Sequence, residues 1–214
     1  MKVAIIGATG FLGKSLVNEF TSRKHQVTAI SRTAQNSDKD NLSYVAVDVL
    51  NIQELASILK GNDAVVSAFN PGWTNPNIYA DFLAGAKAIQ EAVKLSGVKR
   101  LITIGGAGSL YINGNQLVDG PDFPADIKPG ATAAREYLDI IKEEKELDWA
   151  FFSPAIEMHP GITTGRTGNY RLGLEHPVFN DDNRSILSGE DVAVVLADEV
   201  ENPRHHKVRF TAAY

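Results

Sequence analysis

Hydrophobic and polar positions along this chain follow two periods. Short, nearly continuous apolar runs rich in β-branched residues fall at Lys2–Ile6, Gln26–Ser31, Leu42–Val47, Ala64–Ala68, Arg100–Ile104, Trp149–Ser153 and Lys207–Thr211. Such runs predict parallel strands buried on both faces. Longer helical stretches separate them, predicting helices over Phe11–Ser22, Ile52–Leu59, Asn77–Ser96, Ala131–Glu146 and Gly189–Glu201. Strands that alternate with helices specify an α/β fold of Rossmann type, a doubly wound parallel sheet with helices on both sides.

Two segments break this rhythm. Gly105–Gly130 and Ala155–Ser188 are rich in Gly, Pro, Asn and Asp. Each follows the carboxyl end of a strand, where open α/β sheets bind their ligands. Long loops at that position point to function, and together they predict a small substrate-facing lobe on one domain spanning residues 1–214.

Composition narrows the classes of function. The 214 residues are 43% hydrophobic and 22% charged, ordinary for a globular protein with a full core. With no cysteine, a disulfide framework, a thiolate metal site and a thiol nucleophile are all excluded. The net charge of −5 is spread along the chain, which argues against nucleic acid as a partner. The segment Met1–Gly7 has too few apolar residues for a signal peptide, and no apolar run approaches a membrane span. The expected location is therefore cytoplasmic. No His/Asp/Glu cluster has metal-ligand spacing, so no metal is expected.

The most informative stretch is Gly7-Ala8-Thr9-Gly10-Phe11-Leu12-Gly13, between the first predicted strand and the first helix. The first glycine permits a tight turn, the second a close backbone approach to a pyrophosphate, and the third close packing of helix on strand. The helix N-terminus adds backbone N–H groups and partial positive charge for an anion. The spacing is GxxGxxG rather than GxGxxG, but the strand–turn–helix context is the one a dinucleotide site requires. Gly7, Thr9, Gly10, Phe11, Leu12 and Gly13 are thus candidate cofactor contacts. At the end of the second strand, where NAD enzymes carry an acid for the ribose 2′-hydroxyl, this chain has Ser31-Arg32. A hydroxyl beside a guanidinium suits a 2′-phosphate, so NADPH is the expected cofactor, with NAD as the alternative. Ser31-Arg32 also fits a plain strand-to-loop exit.

These motifs, with Asp48-Val49, Gly105-Gly106-Ala107-Gly108-Ser109-Leu110, Ser153-Pro154-Ala155, Pro160-Gly161 with Thr164-Gly165, and Ser188–Ala193, resemble the atypical short-chain dehydrogenase/reductases. The resemblance covers the whole chain. It is greatest to the NAD(P)H-binding group that includes NADH-flavin reductase-like and biliverdin reductase B-like proteins. It implies that Asp48 and Val49 flank the adenine and that Phe69-Asn70 and Gly105-Gly106 line the ribose and nicotinamide. It also implies that Pro154 and Ala155 lie near the nicotinamide ring. Read from the residues alone, Asp48 serves equally as a helix N-cap and Val49 as core.

The dehydrogenases use a tyrosine with a lysine four residues later, on one helix face. Residues Tyr44, Tyr79, Tyr111, Tyr137 and Tyr170 are followed at that spacing by Asp48, Leu83, Asn115, Ile141 and Leu174, and Tyr214 ends the chain. Tyr137 comes nearest, with Lys142 five residues on. Alcohol oxidation, sugar epimerisation and dehydration all need such a base, whereas flavin reduction can take its proton from solvent. The expected activity is hydride transfer from NADPH to a planar conjugated acceptor, with flavin as substrate rather than bound prosthetic group. One alternative is a non-catalytic NADP-binding redox sensor resembling NmrA-like proteins; another is a nucleotide-sugar epimerase or dehydratase.

Candidate groups for the acceptor are Ser109, which would hydrogen-bond a carbonyl or cap a turn, and Tyr111, which would stack on the acceptor or fill the lobe's core. His159 would donate a proton or sit exposed in its loop. Trp73, beside Asn70, would cover the acceptor or anchor its own loop. His205-His206 are expected at the surface, and the run Lys142–Glu146 on a solvated helix face.

Overall fold

A computed structural model describes residues 1–33 and 35–214. Along the chain the elements are β1 (Lys2–Ile6), α1 (Phe11–Ser22), β2 (Gln26–Ser31), β3 (Leu42–Ala46), α2 (Ile52–Leu59), β4 (Ala64–Ser67), α3 (Ile78–Ser96) and β5 (Arg100–Ile104). There follow β6 (Tyr111–Ile112), β7 (Asn115–Gln116), α4 (Lys128–Lys142), β8 (Asp148–Phe152), β9 (Arg171–Gly173), α5 (Gly189–Glu201) and β10 (Val208–Ala213). An 8-stranded sheet has the order β3-β2-β1-β4-β5-β8-β10-β9. All neighbouring pairs are parallel except β10 with β9, which is antiparallel at the edge. The small β6–β7 hairpin stands apart.

Each strand sends alternate side chains to opposite faces, and both faces are apolar. Val3 and Ile5 of β1 join Leu16, Phe20, Val192, Leu196 and Phe210 beneath α1 and α5. Ala4 and Ile6 join Leu55, Phe82, Ile89, Leu138 and Trp149 beneath α2, α3 and α4. Within β8 the same division puts Phe152 on the first face and Phe151 on the second. From β1 the chain moves outward through α1 to β2 and β3, then returns through α2 to β4 on the other side of β1. The strands' carboxyl ends therefore diverge into the crevice where this architecture takes a dinucleotide. Among the described residues, no helix is long and apolar enough to cross a membrane.

Three expectations need correction. Helix α4 runs from Lys128 to Lys142, because Pro129 sits in its first turn, where a missing N–H costs nothing. The charged run Lys142–Glu146 is exposed as expected except at one residue and continues past the helix end. Glu144 is buried and accepts hydrogen bonds from Gln90 Nε2 (2.8 Å) and the Glu146 N–H (2.6 Å), with Lys94 Nζ at 3.5 Å. His205 is buried rather than exposed: its ring stacks on Phe210 at 4.2 Å, and Nδ1 lies 2.8 Å from Glu199 Oε2. Arg100 closes this cluster through Glu199 Oε1 at 2.6 Å.

Candidate functional site

At the mouth of the crevice the glycine loop has the geometry its sequence requires. Gly7 has φ +80°, and a Cβ there would stand 2.5 Å from the Ala68 carbonyl oxygen on the neighbouring strand exit. The N–H groups of Gly7 and Ala8 both donate to Ile30 O, at 2.9 and 3.1 Å, and Gly10 N–H donates to Gly7 O at 3.0 Å. A Cβ on Gly13 would lie 2.0 Å from Gly7 O, so only glycine lets α1 pack down on the turn. Gly10 precedes α1 with extended backbone and no side-chain cap, and the first turn carries no acid. The first-turn N–H groups of Phe11, Leu12 and Gly13 thus lack helical partners and meet no competing negative charge. This cradle fits a pyrophosphate.

At the end of β2 the two candidate residues separate. Ser31 is buried and its hydroxyl donates to Thr33 O at 2.7 Å, within its own turn. Arg32 is exposed and makes no ion pair among the described residues. Any contact with a 2′-phosphate therefore falls to the Arg32 guanidinium.

The residues assigned by family resemblance line the same strand ends, most of them through backbone. Asp48 is exposed; its Oδ1 accepts the Leu50 N–H at 3.0 Å, and the residue preceding α2 is Asn51, so Asp48 is not that helix's cap. Val49 is buried in the core. Phe69 turns its ring toward α3, 6.2 Å from Phe82, where a Cβ at Gly85 would stand 2.3 Å from it. Asn70 Oδ1 accepts the Gly72 N–H at 2.7 Å. A Cβ at Gly105 would lie 1.9 Å from the Phe151 ring, whereas at Gly106 it would meet only Ala134 Cβ, at 3.6 Å, and Gly108 N. Pro154 and Ala155 are buried just past β8.

Among the described residues no hydrogen bond joins any two of the three candidates for chemistry, although Arg209 touches both Ser109 and Tyr111. Ser109 is buried, its Oγ 2.9 Å from both Gly106 O and Ser153 Oγ, which is a turn-capping arrangement. Tyr111 carries the Arg209 guanidinium over its ring at 5.2 Å. His159 is exposed, and its Nδ1 accepts the Gly161 N–H at 3.1 Å. Tyr137 is fully buried against Gln90 Oε1 (3.3 Å), and burial pushes its phenol far above the ordinary tyrosine value. Lys142 is exposed beside Asp139 at 3.1 Å, so the two do not form the dehydrogenase pair.

Sequence reading missed the ties that hold the second long loop. Asp191 is fully buried at the start of α5. Its carboxylate accepts from Thr167 N–H (3.0 Å), Thr167 Oγ1 (2.7 Å), Gly168 N–H (2.8 Å) and Tyr214 OH (2.7 Å). Burial opposes ionisation, but these donors prevail and hold the carboxyl below its ordinary pKa. Two residues before Gly168, Arg166 reaches buried Glu19 of α1 at 2.7 Å. The only sequence signal was Ser188-x-x-Asp191, a capping box in which Ser188 Oγ accepts the Asp191 N–H at 3.0 Å.

Comparison with known proteins agrees with this geometry. A family described as NAD(P)H-binding matches residues 7–203. Among curated proteins, the uncharacterized protein YwnB of Bacillus subtilis is 34% identical, over 99% of this chain and 97% of its own. Among solved structures, a candidate epimerase from Bacteroides thetaiotaomicron is 41% identical with a TM-score of 0.91, covering 100% of this chain and 96% of its own. A candidate NADH-flavin reductase from Streptococcus pneumoniae is 35% identical with a TM-score of 0.87, covering 100% and 99%.

Proposed function

The chain belongs to the NAD(P)H-binding family, and from that premise we propose that it is an NADPH-dependent oxidoreductase whose acceptor is a planar conjugated molecule such as FMN, FAD or riboflavin. The observation that carries the proposal is the pyrophosphate cradle at Gly7–Gly13 at the start of α1; on the other face of the sheet Tyr137, the single tyrosine of α4, is buried in the core. When bound, NADPH supplies a hydride, and a flavin takes it up with one proton from solvent, giving NADP⁺ and reduced flavin. The chain's own part is to position and to exclude. The N–H groups of the first turn of α1 hold the pyrophosphate, Arg32 takes the 2′-phosphate, and Gly105-Gly106 let the nicotinamide end lie close to the sheet.

The epimerase reading, suggested by the name of the Bacteroides relative, demands a general base at the sugar carbon. Tyr137 has no access to such a carbon, which favours an acceptor that needs no protein base. The redox-sensor alternative keeps the cofactor site and drops the turnover. A cytoplasmic site of action follows from the reductant proposed. The test is anaerobic NADPH oxidation by purified protein with FMN, read by nicotinamide absorbance. Saturable oxidation above the enzyme-free rate is expected; tight NADPH binding without oxidation contradicts a reductase and favours the sensor.

A further inference from the structure

Of the two tryptophans, Trp149 is 2% exposed in the core and Trp73 is 57% exposed in the loop between β4 and α3. An exposed indole is a large apolar surface not withdrawn into the core and so open to a ligand. Nor is its loop loose. Gly72 has φ +112°; Asn70 Oδ1 accepts the Gly72 N–H at 2.7 Å, and Asn75 N–H donates to Gly72 O at 3.1 Å. Farther on, Asn75 bonds the Asn77 N–H at 2.9 Å and Asp81 at 2.8 Å. Turn hydrogen bonds thus hold this loop along Asn70–Asp81.

The indole has a specific seat. A Cβ at Gly130, in the first turn of α4, would stand 2.9 Å from Trp73 Cζ3 and 2.8 Å from Ile78 Cδ1. The same end of α4 packs on the glycine run after β5: a Cβ at Gly108 would meet Ala131 Cβ at 3.2 Å, and one at Gly106 would meet Ala134 Cβ at 3.6 Å. One helix end built of Gly130, Ala131 and Ala134 therefore carries the indole on one side and the Gly105–Gly108 strand exit on the other.

We propose that Trp73 is the aromatic platform on which the acceptor's ring system lies, making it the residue that restricts this site to flat conjugated acceptors. The inference rests on the reductase reading for the identity of the site, but the platform is a binding property and can be measured without turnover. Aromatic faces favour offset stacking on electron-poor heterocycles, and an aliphatic carbonyl compound would gain nothing from one. Gly130 is part of the device, because any side chain there would displace the ring.

Riboflavin is the probe, titrated into protein saturated with NADP⁺. Its anisotropy reports binding, and its own emission reports stacking, since an indole in face contact quenches an isoalloxazine. Wild type is expected to raise the anisotropy and quench the emission. In Trp73→Phe binding should persist with emission largely restored, and in Trp73→Ala affinity should fall roughly tenfold, as truncating a stacking aromatic does. In turnover the Trp73→Ala change should raise KM for riboflavin by a similar factor and leave KM for NADPH unchanged. Trp73 is exposed, so both variants should keep the wild-type Tm. Oxidation of NADPH with riboflavin affinity and emission unchanged in both variants would overturn the platform and leave the reductase standing. Quenched, Trp73-dependent riboflavin binding without NADPH oxidation would overturn the reductase and leave the platform standing. No binding of riboflavin to wild type would overturn the platform.

Discussion

Two positions carry the proposed cofactor site at the residue scale, one by a missing side chain and one by its charge. At Gly13 the missing Cβ is what lets α1 rest on the turn, since a Cβ there would stand 2.0 Å from Gly7 O. The Gly13→Ala variant must push the helix away from β1 and spread the first-turn N–H groups. Its affinity for NADPH is expected to fall at least ~100-fold, since the anion site is built from that turn. Titration of nicotinamide fluorescence checks this, with circular dichroism to confirm that the sheet persists. Arg32 is exposed and has no ion-pair partner among the described residues, so on the proposed reading its effect is confined to the 2′-phosphate. Arg32→Ala should weaken NADPH by about tenfold, a modest value for an exposed charge-assisted contact, and leave NADH unchanged. Equal loss for both cofactors would show that Arg32 acts through the loop instead. The tight turn at Gly13 was legible in the sequence because glycine spacing is local, and the exposure of Arg32 fits its place at a strand exit. Ser31 was legible only in part, since its hydroxyl is spent on Thr33 O within the same turn.

At the scale of elements, the helix α5 carries the second long loop on one buried carboxylate. Removing that charge by Asp191→Asn leaves the donors of Thr167, Gly168 and Tyr214 without an anionic acceptor. The expected loss is ~2–4 kcal/mol in the unfolding free energy at neutral pH. The pH dependence has a definite sign. The folded pKa of Asp191 lies below its ordinary 3.8, so the native state binds this proton less readily than the unfolded chain. Its contribution is full above about pH 5 and is lost as pH falls through the folded pKa. Glu19 and Glu199 are held low as well, by Arg166 and by His205 respectively, both against the cost of burial, and act in the same direction. Urea denaturation at pH 7 and near pH 3 should therefore show a smaller pH effect in Asp191→Asn than in wild type. A parallel pair of curves would remove Asp191 from the account.

The legibility of elements follows the range of the forces that make them. Strands such as β1 and β5 were readable because burial on both faces forces uninterrupted apolar runs. The edge strand β9 was not: Arg171-Leu172-Gly173 is too short to show a period and exists only because β10 offers it a partner. Similarly, His205 reads as a surface residue until Phe210, Glu199 and Arg100 are brought around it, and Arg100 comes from a strand 105 positions earlier. Glu144 was misread for the same reason, its partners Gln90 and Lys94 lying on another helix.

At the scale of the molecule, the two loops flanking the crevice are joined to the sheet by one buried cation. Arg209 of β10 donates to Ser109 O, pairs with Glu175 and covers the Tyr111 ring at 5.2 Å. It thus clasps residues from both Gly105–Gly130 and Ala155–Ser188. Replacing it by leucine should cost about 2 kcal/mol, or roughly 4–8 °C in Tm, because Ser109 O keeps Gln116 as a donor and Glu175 can turn to solvent. Amide exchange should then quicken around residues 109–117 and 171–177 while β1 and β4 stay protected. Uniform acceleration would mean that the lobe and the sheet unfold as one unit.

On the proposed reading this scaffold aligns a nicotinamide with a flat acceptor for direct hydride transfer. Single-turnover reduction of FMN with NADPH deuterated on one or the other face of its C4 tests this most directly. The account predicts enzyme-dependent bleaching of the flavin with deuterium lost from one face only, and a slower rate for that labelled cofactor alone. Bleaching no faster than without enzyme, or equal transfer from both faces, would contradict it.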